Sequence, residues 1–271
     1  MFECVINVSE GRDLDVLEAI GERAGESLRD RHSDTFHNRS VYTLINAPGP
    51  LLEDVRGLIA TSLERLDLRT HQGVHPRFGV VDVVPFVSLE RAERALALTM
   101  RDSIGHWIST SFEVPVFYYG PVGDEFRTLP QVRRRAFRTL APDLGPREPT
   151  ARSGAVALGE RPVLVAWNLW LSDVSLERAR AIAGSIRSDA VRSLAFAMGE
   201  QVQVSCNLIA PELVGPAAIY DQVTSQLSGV ERIERAELVG LMPASVLDAQ
   251  ERARWDQLGL SDQTTIESRL S

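Results

Sequence analysis

The stretch "AVRSLAFAMGEQVQVSCNLI", residues 190–209, contains two β-strand patterns separated by a glycine. Polar and apolar side chains alternate strictly over 201–209, as expected for a strand with one buried face. Gly199 lies between the two patterns, where a tight turn favours glycine. The stretch therefore predicts a β-hairpin at the centre of the C-terminal half of the chain.

The segments on both sides of this hairpin continue the alternation of strands and helices. A strand and a helix precede it, and a helix and a strand follow it, at 162–171, 173–187, about 213–228 and 234–243. The order β-α-β-β-α-β is that of a ferredoxin-like split βαβ unit. A last helix at about 245–258 and a polar tail complete this half.

The N-terminal half repeats the theme and predicts a second unit of the same kind. Its strand patterns lie at 2–9, 39–46, 78–87 and 114–120, and its helix patterns at 13–31, 49–66 and 88–108. We interpret the helix over 49–66 as an insertion. The predicted fold class is therefore α+β with two ferredoxin-like subdomains, 1–161 and 162–271, the first with an inserted helix.

Composition excludes several classes of function. The chain contains 29 basic residues, all of them arginine, so chemistry that needs a lysine amine, such as a Schiff base, is excluded. The formal net charge of −8 argues against a nucleic-acid-binding surface. No run of 18 apolar residues predicts a membrane-spanning helix, and the N-terminus has no secretory pattern. A cytoplasmic protein is expected, with Cys4 and Cys206 as buried, unpaired residues.

Two histidines lie four residues apart in "THQGVHPRFGVVDVVPF", residues 70–86. An i, i+4 pair binds zinc on a helix, but Gly73 and Pro76 interrupt any helix here. A metal site is therefore the less favoured interpretation. His71 and His75 are instead either structural loop residues or proton-transfer groups, since an imidazole titrates near neutral pH and loops at strand ends often carry catalytic groups. Spacing alone slightly favours the structural role.

Two further polar clusters are candidates for binding. "SDTFHNRSVYT", residues 33–43, brings a carboxylate, an imidazole, an amide and a guanidinium to one strand entrance, although Asp and Asn are also ordinary turn residues. The arginine-rich run over 126–140 is typical of a solvated helix face. Its guanidinium groups are equally suited to binding carboxylates.

Several motifs occur in the order found in one enzyme family. "ECVINVSEGRD", "HNRSVYT", "HQGVHPRFGVVDVVPF", "VPVFYYG", "RTLP", "DLGP", "VQVSCNL" and "ELVGLMP" together cover nearly the whole chain. On these motifs the sequence resembles the glutamate formimidoyltransferases, which also form the N-terminal part of formimidoyltransferase-cyclodeaminase. The resemblance implies a two-subdomain ferredoxin-like fold and transfer of a formimino group from N-formimidoyl-L-glutamate to N5 of tetrahydrofolate, in histidine degradation. It also implies a homodimer without a metal.

The resemblance assigns roles to individual residues. His75, in the His-Pro-Arg triplet, corresponds to the catalytic histidine, and Asp34 or Asp82 is expected to orient it. Arg39, Arg77 and Arg127 are the arginines chosen to bind the carboxylates of substrate and folate. The remaining expected contacts are Asn38 for the substrate and Gly145, Pro146, Ser153, Gly154 and Asn168 for the folate.

The chain also departs from the family pattern. Val74 stands where the family commonly has glutamate, Arg135 and Arg138 stand where it has glycine and an acidic residue, and Ser153 stands where it often has tryptophan. Three functions therefore stay open: the transferase, a related protein that binds a folate or another acidic metabolite without this turnover, and a hydrolytic metalloenzyme. The last would require stoichiometric zinc, and we expect none.

Overall fold

The computed structural model describes residues 1–270, and the side chain of Arg91 lies outside this description. The chain divides into two compact units, Met1–Pro162 and Val163–Ser271. Both contain a β-sheet covered by helices. Within the described residues, no helix has the length and apolar character needed to cross a membrane.

The second unit is a ferredoxin-like fold, as the 190–209 hairpin predicted. Its strands are β8 (Val165–Ser172), β9 (Val191–Met198), β10 (Gln201–Leu208) and β11 (Arg232–Val239). They form an antiparallel sheet in the order β11-β8-β10-β9. The helices between them are α5 (Leu176–Ser185) and α6 (Pro216–Thr224).

The sheet of the second unit is held by alternate side chains from its two central strands. Trp167 and Leu169 of β8 and Val204 and Cys206 of β10 are fully buried, in one apolar cluster with the helices. Ser175 caps α5, since its side chain accepts a hydrogen bond from the Arg178 backbone N–H. Burial of these alternating residues fixes the register of the strands.

The predicted last helix is shorter than its sequence pattern indicates. α7 spans only Ala244–Asp248 and is followed by a 3₁₀ turn, Arg252–Arg254. The backbone carbonyl of Gln250 accepts a hydrogen bond from the indole of Trp255 at 3.1 Å. The side chain of Gln250 accepts a hydrogen bond from the Ala217 N–H, also at 3.1 Å. One local bond and one bond to α6 therefore stand where the next helical turn would be.

The first unit has the same βαββαβ order, followed by an extension. Its core comprises β1 (Phe2–Val8), α1 (Leu14–Glu22), β2 (Leu28–Asp34), β3 (Arg39–Asn46), α2 (Pro48–Arg65) and β4 (Val81–Ser88). The extension comprises α3 (Arg94–Phe112), β5 (Val116–Val122), β6 (Glu125–Arg127), α4 (Leu129–Arg135) and β7 (Val156–Glu160). The seven-stranded sheet has the order β2-β3-β1-β4-β7-β5-β6, with β7 parallel to both β4 and β5.

The α+β class with two ferredoxin-like subdomains is confirmed, and three details of the first unit are corrected. Residues 28–34, LRDRHSD, form an edge strand and not the end of a helix, because this strand buries little apolar surface and shows no alternation. Helix α2 is the second helix of the βαββαβ motif and not an insertion, since it connects β3 and β4. Strand β7, over 156–160, was missed because its burial on both faces leaves no alternating pattern.

Candidate active site

The loop that carries both predicted histidines is held in place by His71 and Arg77. His71 donates from Nε2 to the carbonyl of Asn38 at 2.9 Å, and its Nδ1 accepts a hydrogen bond from Arg77. The same guanidinium donates to the carbonyl of Gly73 at 2.6 Å. Both nitrogens of His71 are thus used within the loop, so His71 has the structural role and His75 is the candidate for chemistry.

The turn before β3 contacts this loop through Asn38. Asn38 has a positive φ of 47°, a conformation that asparagine tolerates better than most residues. Its side chain accepts from the Gly11 N–H at 2.8 Å and donates to the Gln72 carbonyl at 2.9 Å. Asp34 begins the turn by accepting from the His37 N–H at 2.7 Å. The hydrogen bonds of Asp34 and Asn38 therefore join the turn over 34–38 to the Gly11 segment and to the loop that carries His75.

His75 is half-buried, and its hydrogen bonds define which nitrogen is basic. Nδ1 lies 2.6 Å from the carbonyl of Pro76, which can only accept, so Nδ1 carries the hydrogen. Arg39 Nη1 lies 3.1 Å from Nε2 and 2.8 Å from Nδ1. With the hydrogen on Nδ1, Nε2 is the nitrogen that has a free lone pair, and Arg39 Nη1 is a donor within reach of it. The ring of His37 packs edge-on against His75, with centroids 5.6 Å apart.

A buried carboxylate lies on the other side of Arg39. Asp82, at the start of β4, is 1% exposed and accepts from the Phe78 N–H at 2.6 Å. Its other oxygen is 2.5 Å from Arg133 Nη2 and 3.4 Å from Arg39 Nη1. Arg39 also donates from Nε to Asn7 Oδ1 at 3.0 Å. The guanidinium of Arg39 is therefore held by β1 and β4 against the imidazole of His75.

This arrangement lowers the pKa of His75 from 6.5 to about 3. Burial is the largest cause, because it disfavours the charged imidazolium, and the adjacent charge of Arg39 adds to it. Asp82 and the Pro76 carbonyl oppose the shift. Burial alone raises the pKa of Asp82, but the attraction of Arg133 and Arg39 outweighs it, and the net shift is downward. His75 is thus a neutral base beside an ionised carboxylate.

These groups line a small depression with an empty volume of about 160 Å³. This volume includes open solvent, so the depression is a surface site and not a closed cavity. The lining residues are Ser9, His37, Asn38, Arg39, His75, Arg77 and Asp82. Among the residues that the structure describes, no group of three or more His, Cys, Asp or Glu side chains has the arrangement of a metal site.

The charged groups around the neutral His75 are mostly positive. Arg39 and Arg77 line it, and Arg133 contacts its carboxylate, Asp82, from α4. Three guanidiniums therefore face one carboxylate. Such an excess of positive charge favours an anionic ligand, and the planar guanidinium is well shaped for a carboxylate.

The predicted folate loop ends next to the histidine loop. Gly154 has a φ of +69°, and a Cβ at this position would lie 2.5 Å from the carbonyl of Phe78. The Val80 N–H donates to the Ser153 carbonyl at 2.9 Å, and the Ala155 N–H donates to that of Phe78 at 3.0 Å. The loop is thus bonded to the segment that directly follows the His-Pro-Arg triplet. Gly145, with a φ of +82°, begins the loop beside the exposed Pro146.

The structure brings some of the predicted site residues together and places others elsewhere. Asn38, Arg39, Arg77 and Asp82 surround His75, whereas Arg127 pairs with Asp143 at 2.8 Å and Glu125 at 3.0 Å. Asn168 lies in the second unit, where its amide is 3.4 Å from Glu237. A role in substrate or folate binding stays a prediction for each of these residues.

The sequence did not single out three residues that contribute to this site. Ser9, which is 5% exposed, donates to the Gly79 carbonyl at 2.7 Å and lines the depression. Asn7 holds Arg39, and Arg133 holds Asp82. The arginine run contained Arg133, but nothing in its pattern distinguishes the one guanidinium that reaches a buried carboxylate.

Comparison with known proteins gives the family. Residues 1–161 match the formiminotransferase domain, N-terminal subdomain. The chain belongs to the formiminotransferase family. The resemblance seen in its motifs is therefore confirmed.

Formiminotransferase relatives occur both as stand-alone and as longer proteins. A glutamate formimidoyltransferase of Thermoplasma acidophilum is 30% identical over 91% of this chain and 89% of its own length. One of Streptococcus pyogenes serotype M1 is 29% identical over 90% of each chain. A formimidoyltransferase-cyclodeaminase of Gallus gallus is 30% identical over 93% of this chain. The chain spans only 52% of that longer protein.

Proposed function

We propose that the protein is a glutamate formimidoyltransferase that moves a formimino group from N-formimidoyl-L-glutamate to N5 of tetrahydrofolate. The observation that carries the proposal is a neutral imidazole, His75, held against the guanidinium of Arg39 in a depression that Arg77 also lines, in a chain of the formiminotransferase family. The Thermoplasma acidophilum and Streptococcus pyogenes relatives bear the name of this activity.

The reaction requires a group that accepts one proton and returns one. N5 of tetrahydrofolate attacks the formimino carbon, and a new C–N bond gives a tetrahedral adduct with a positive charge on N5. His75 Nε2 takes the N5 proton and then delivers a proton to the glutamate nitrogen as the old C–N bond breaks. A neutral imidazole serves both steps, because it accepts a proton in the first step and is regenerated when it gives a proton up in the second.

Arg39 connects substrate binding to this proton transfer. Its Nη1 lies 3.1 Å from Nε2 of His75, the nitrogen that must accept the proton. A substrate carboxylate that takes a hydrogen bond from Arg39 would release Nε2 and would cancel the positive charge that lowers the pKa of His75. Arg77 offers a second guanidinium at the same depression, and both substrates carry carboxylates.

The folate is proposed to lie along the loop from Gly145 to Gly154. Support comes from the bonds of this loop to residues 78–80, which place it next to the segment that carries His75. Ser153, Pro146 and Asn168 remain proposed folate contacts, and Asn38, Asp34 and Arg127 remain proposed substrate contacts. A homodimer in the cytoplasm is likewise proposed and is tested by light scattering and by cell fractionation.

A binding protein of the same family is the alternative, because Val74 and Ser153 replace residues common in the family pattern. Val74 is exposed at the edge of the histidine loop, where its side chain supplies no charge for a substrate amine. Such a protein would bind a folate without transferring the formimino group. The two functions differ in product formation and not in folate affinity.

The deciding experiment incubates the purified protein with N-formimidoyl-L-glutamate and tetrahydrofolate and follows 5-formiminotetrahydrofolate by absorbance and mass spectrometry. Thermal unfolding with and without tetrahydrofolate is measured in parallel, since a ligand that binds only the folded state raises the melting temperature. We expect product together with a raised melting temperature. A raised melting temperature without product would support the binding protein, and neither response would refute both.

A further inference from the structure

Arg133 belongs to the arginine-rich run over 126–140. Its neighbours Arg134 and Arg135 are exposed to solvent, whereas Arg133 is partly buried. Helix α4 begins with a capping box between Thr128 and Gln131, and Val132 packs in an apolar cluster with Val83 and Phe117. These contacts fix the helix on the sheet. The next residue, Arg133, therefore reaches Asp82, while the neighbouring Arg134 is exposed.

We propose that Arg133 is a positioning residue for His75 and acts on it through Asp82 and Arg39. This inference rests on the proposed function only in so far as His75 is the base of that reaction. Arg133 Nη2 binds the Asp82 oxygen that lies 3.4 Å from Arg39 Nη1, so one oxygen is shared by two guanidiniums. Because Asp82 also binds Arg133, its attraction for Arg39 is weaker than it would be in a pair of Asp82 and Arg39. Arg39 Nη1 therefore stays 3.1 Å from Nε2 of His75.

The consequence concerns both geometry and charge. Without Arg133, Asp82 would have only Arg39 as an ionic partner, and the guanidinium would move from the imidazole toward the carboxylate. The positive charge close to His75 would fall by one. Both changes favour the imidazolium, so the pKa of His75 should rise. The other charged or titratable groups at the depression are unaltered: His37 of the preceding turn, Arg77 of the loop, and Arg39 and Asp82 themselves.

The test compares Arg133→Met with Arg134→Met, which removes the same charge from an exposed position of the same helix. The imidazole of His75 is followed by NMR in the full-length protein, with His75→Gln used to assign its signal. We expect the Arg133→Met change to raise the titration midpoint of His75 by about one pH unit. Arg134→Met should leave the midpoint unchanged. Equal midpoints in the two variants would overturn the proposal.

A conservative variant and a second readout separate positioning from simple loss of stability. Arg133→Lys restores a positive charge at Asp82 and should return the midpoint most of the way to that of the unaltered protein. If the transferase activity is present, the acidic limb of kcat/KM should shift upward with the NMR midpoint in Arg133→Met. Because the NMR titration needs no turnover, an inactive protein would refute the proposed function and leave this inference open to its own test. Far-UV circular dichroism at each pH checks that Arg133→Met is still folded.

Discussion

Arg39 and His75 are in direct contact, with Nη1 of the guanidinium 3.1 Å from Nε2 of the imidazole. Nδ1 of the same ring lies 2.6 Å from the Pro76 carbonyl, so both ring nitrogens have partners when His75 is neutral. A protonated ring would place a second positive charge against Arg39. The contact therefore selects the neutral base and connects its proton affinity to whatever anion binds Arg39.

The stability of the protein should depend on pH through His75. Its pKa is about 3 in the folded state and 6.5 as the ordinary value, so the unfolded chain binds more protons between these limits. The contribution of His75 is thus complete above pH 6.5 and is lost as the pH falls toward 3. Urea unfolding between pH 4 and 8 should show a flatter decline in His75→Gln than in the unaltered protein. His106→Gln, on the exposed face of α3, should follow the unaltered protein, and parallel curves for all three would contradict the prediction.

Removing the imidazole should abolish transfer without abolishing binding. A positioned acid–base group contributes roughly 10²–10⁴-fold to a rate, and His75→Ala should lose turnover on this scale. The affinity for tetrahydrofolate, measured by calorimetry, should change little because the proposed folate loop is intact. His106→Ala serves as the matched control, since it removes an exposed imidazole from another helix. Full activity in His75→Ala would remove it from the mechanism.

Strand alternation and capping patterns predicted the four strands and the two connecting helices of the second unit, and they predicted the strands of the first unit less completely. The 201–209 alternation corresponds to β10 because one face of that strand is buried and the other carries polar residues. Residues 28–34 lack alternation because an edge strand needs only backbone bonds to β3 to form. Residues 28–34 form a strand because they pair with β3, and no local sequence pattern encodes that pairing.

The site was predictable to the extent that its residues lie in one turn or one loop. His75, Arg77 and Asp82 come from a single stretch, and Arg39 from the turn that contacts it. Arg133 comes from α4, 51 residues from Asp82, and its selection over Arg127 depends on how α4 packs. Such pairing over long sequence separation is visible only in the folded chain.

The buried carboxylate of Asp82 should be essential for stability. Asp82→Asn leaves Arg39 and Arg133 without their shared anion, and removing one partner of a buried ion pair costs about 3–5 kcal/mol. Chemical unfolding near pH 7 should show a loss of this order. Asp124→Asn, in the exposed turn between β5 and β6, should change the free energy of unfolding by less than about 0.5 kcal/mol. An equal, small loss in both variants would show that Asp82 is not held as described.

The contact between the proposed folate loop and the histidine loop should depend on Gly154. Gly154→Ala introduces a Cβ 2.5 Å from the Phe78 carbonyl at a φ of +69°. Gly123→Ala is the matched control, because Gly123 has a φ of +55° but no atom within 4 Å of its would-be Cβ. We expect Gly154→Ala to lose roughly 1–3 kcal/mol more stability than the control, as for overpacking. If the proposed folate position is right, tetrahydrofolate affinity should also fall in Gly154→Ala alone.

A second buried carboxyl should give the opposite pH dependence. Glu3, at the start of β1, is 3% exposed, and burial raises its pKa from 4.5 to about 7 against the opposing charge of Arg161. A raised folded-state pKa means that the contribution of Glu3 is complete below pH 4.5 and is lost as the pH rises through 7. Glu3→Gln cannot ionise, so it should exceed the unaltered protein in stability at pH 8 by on the order of 3 kcal/mol. Glu64→Gln, at an exposed position of α2, should show no such gain in urea unfolding at pH 8. A Glu3→Gln variant that is less stable than the unaltered protein at pH 8 would mean that the ionised carboxylate is favoured in the folded state.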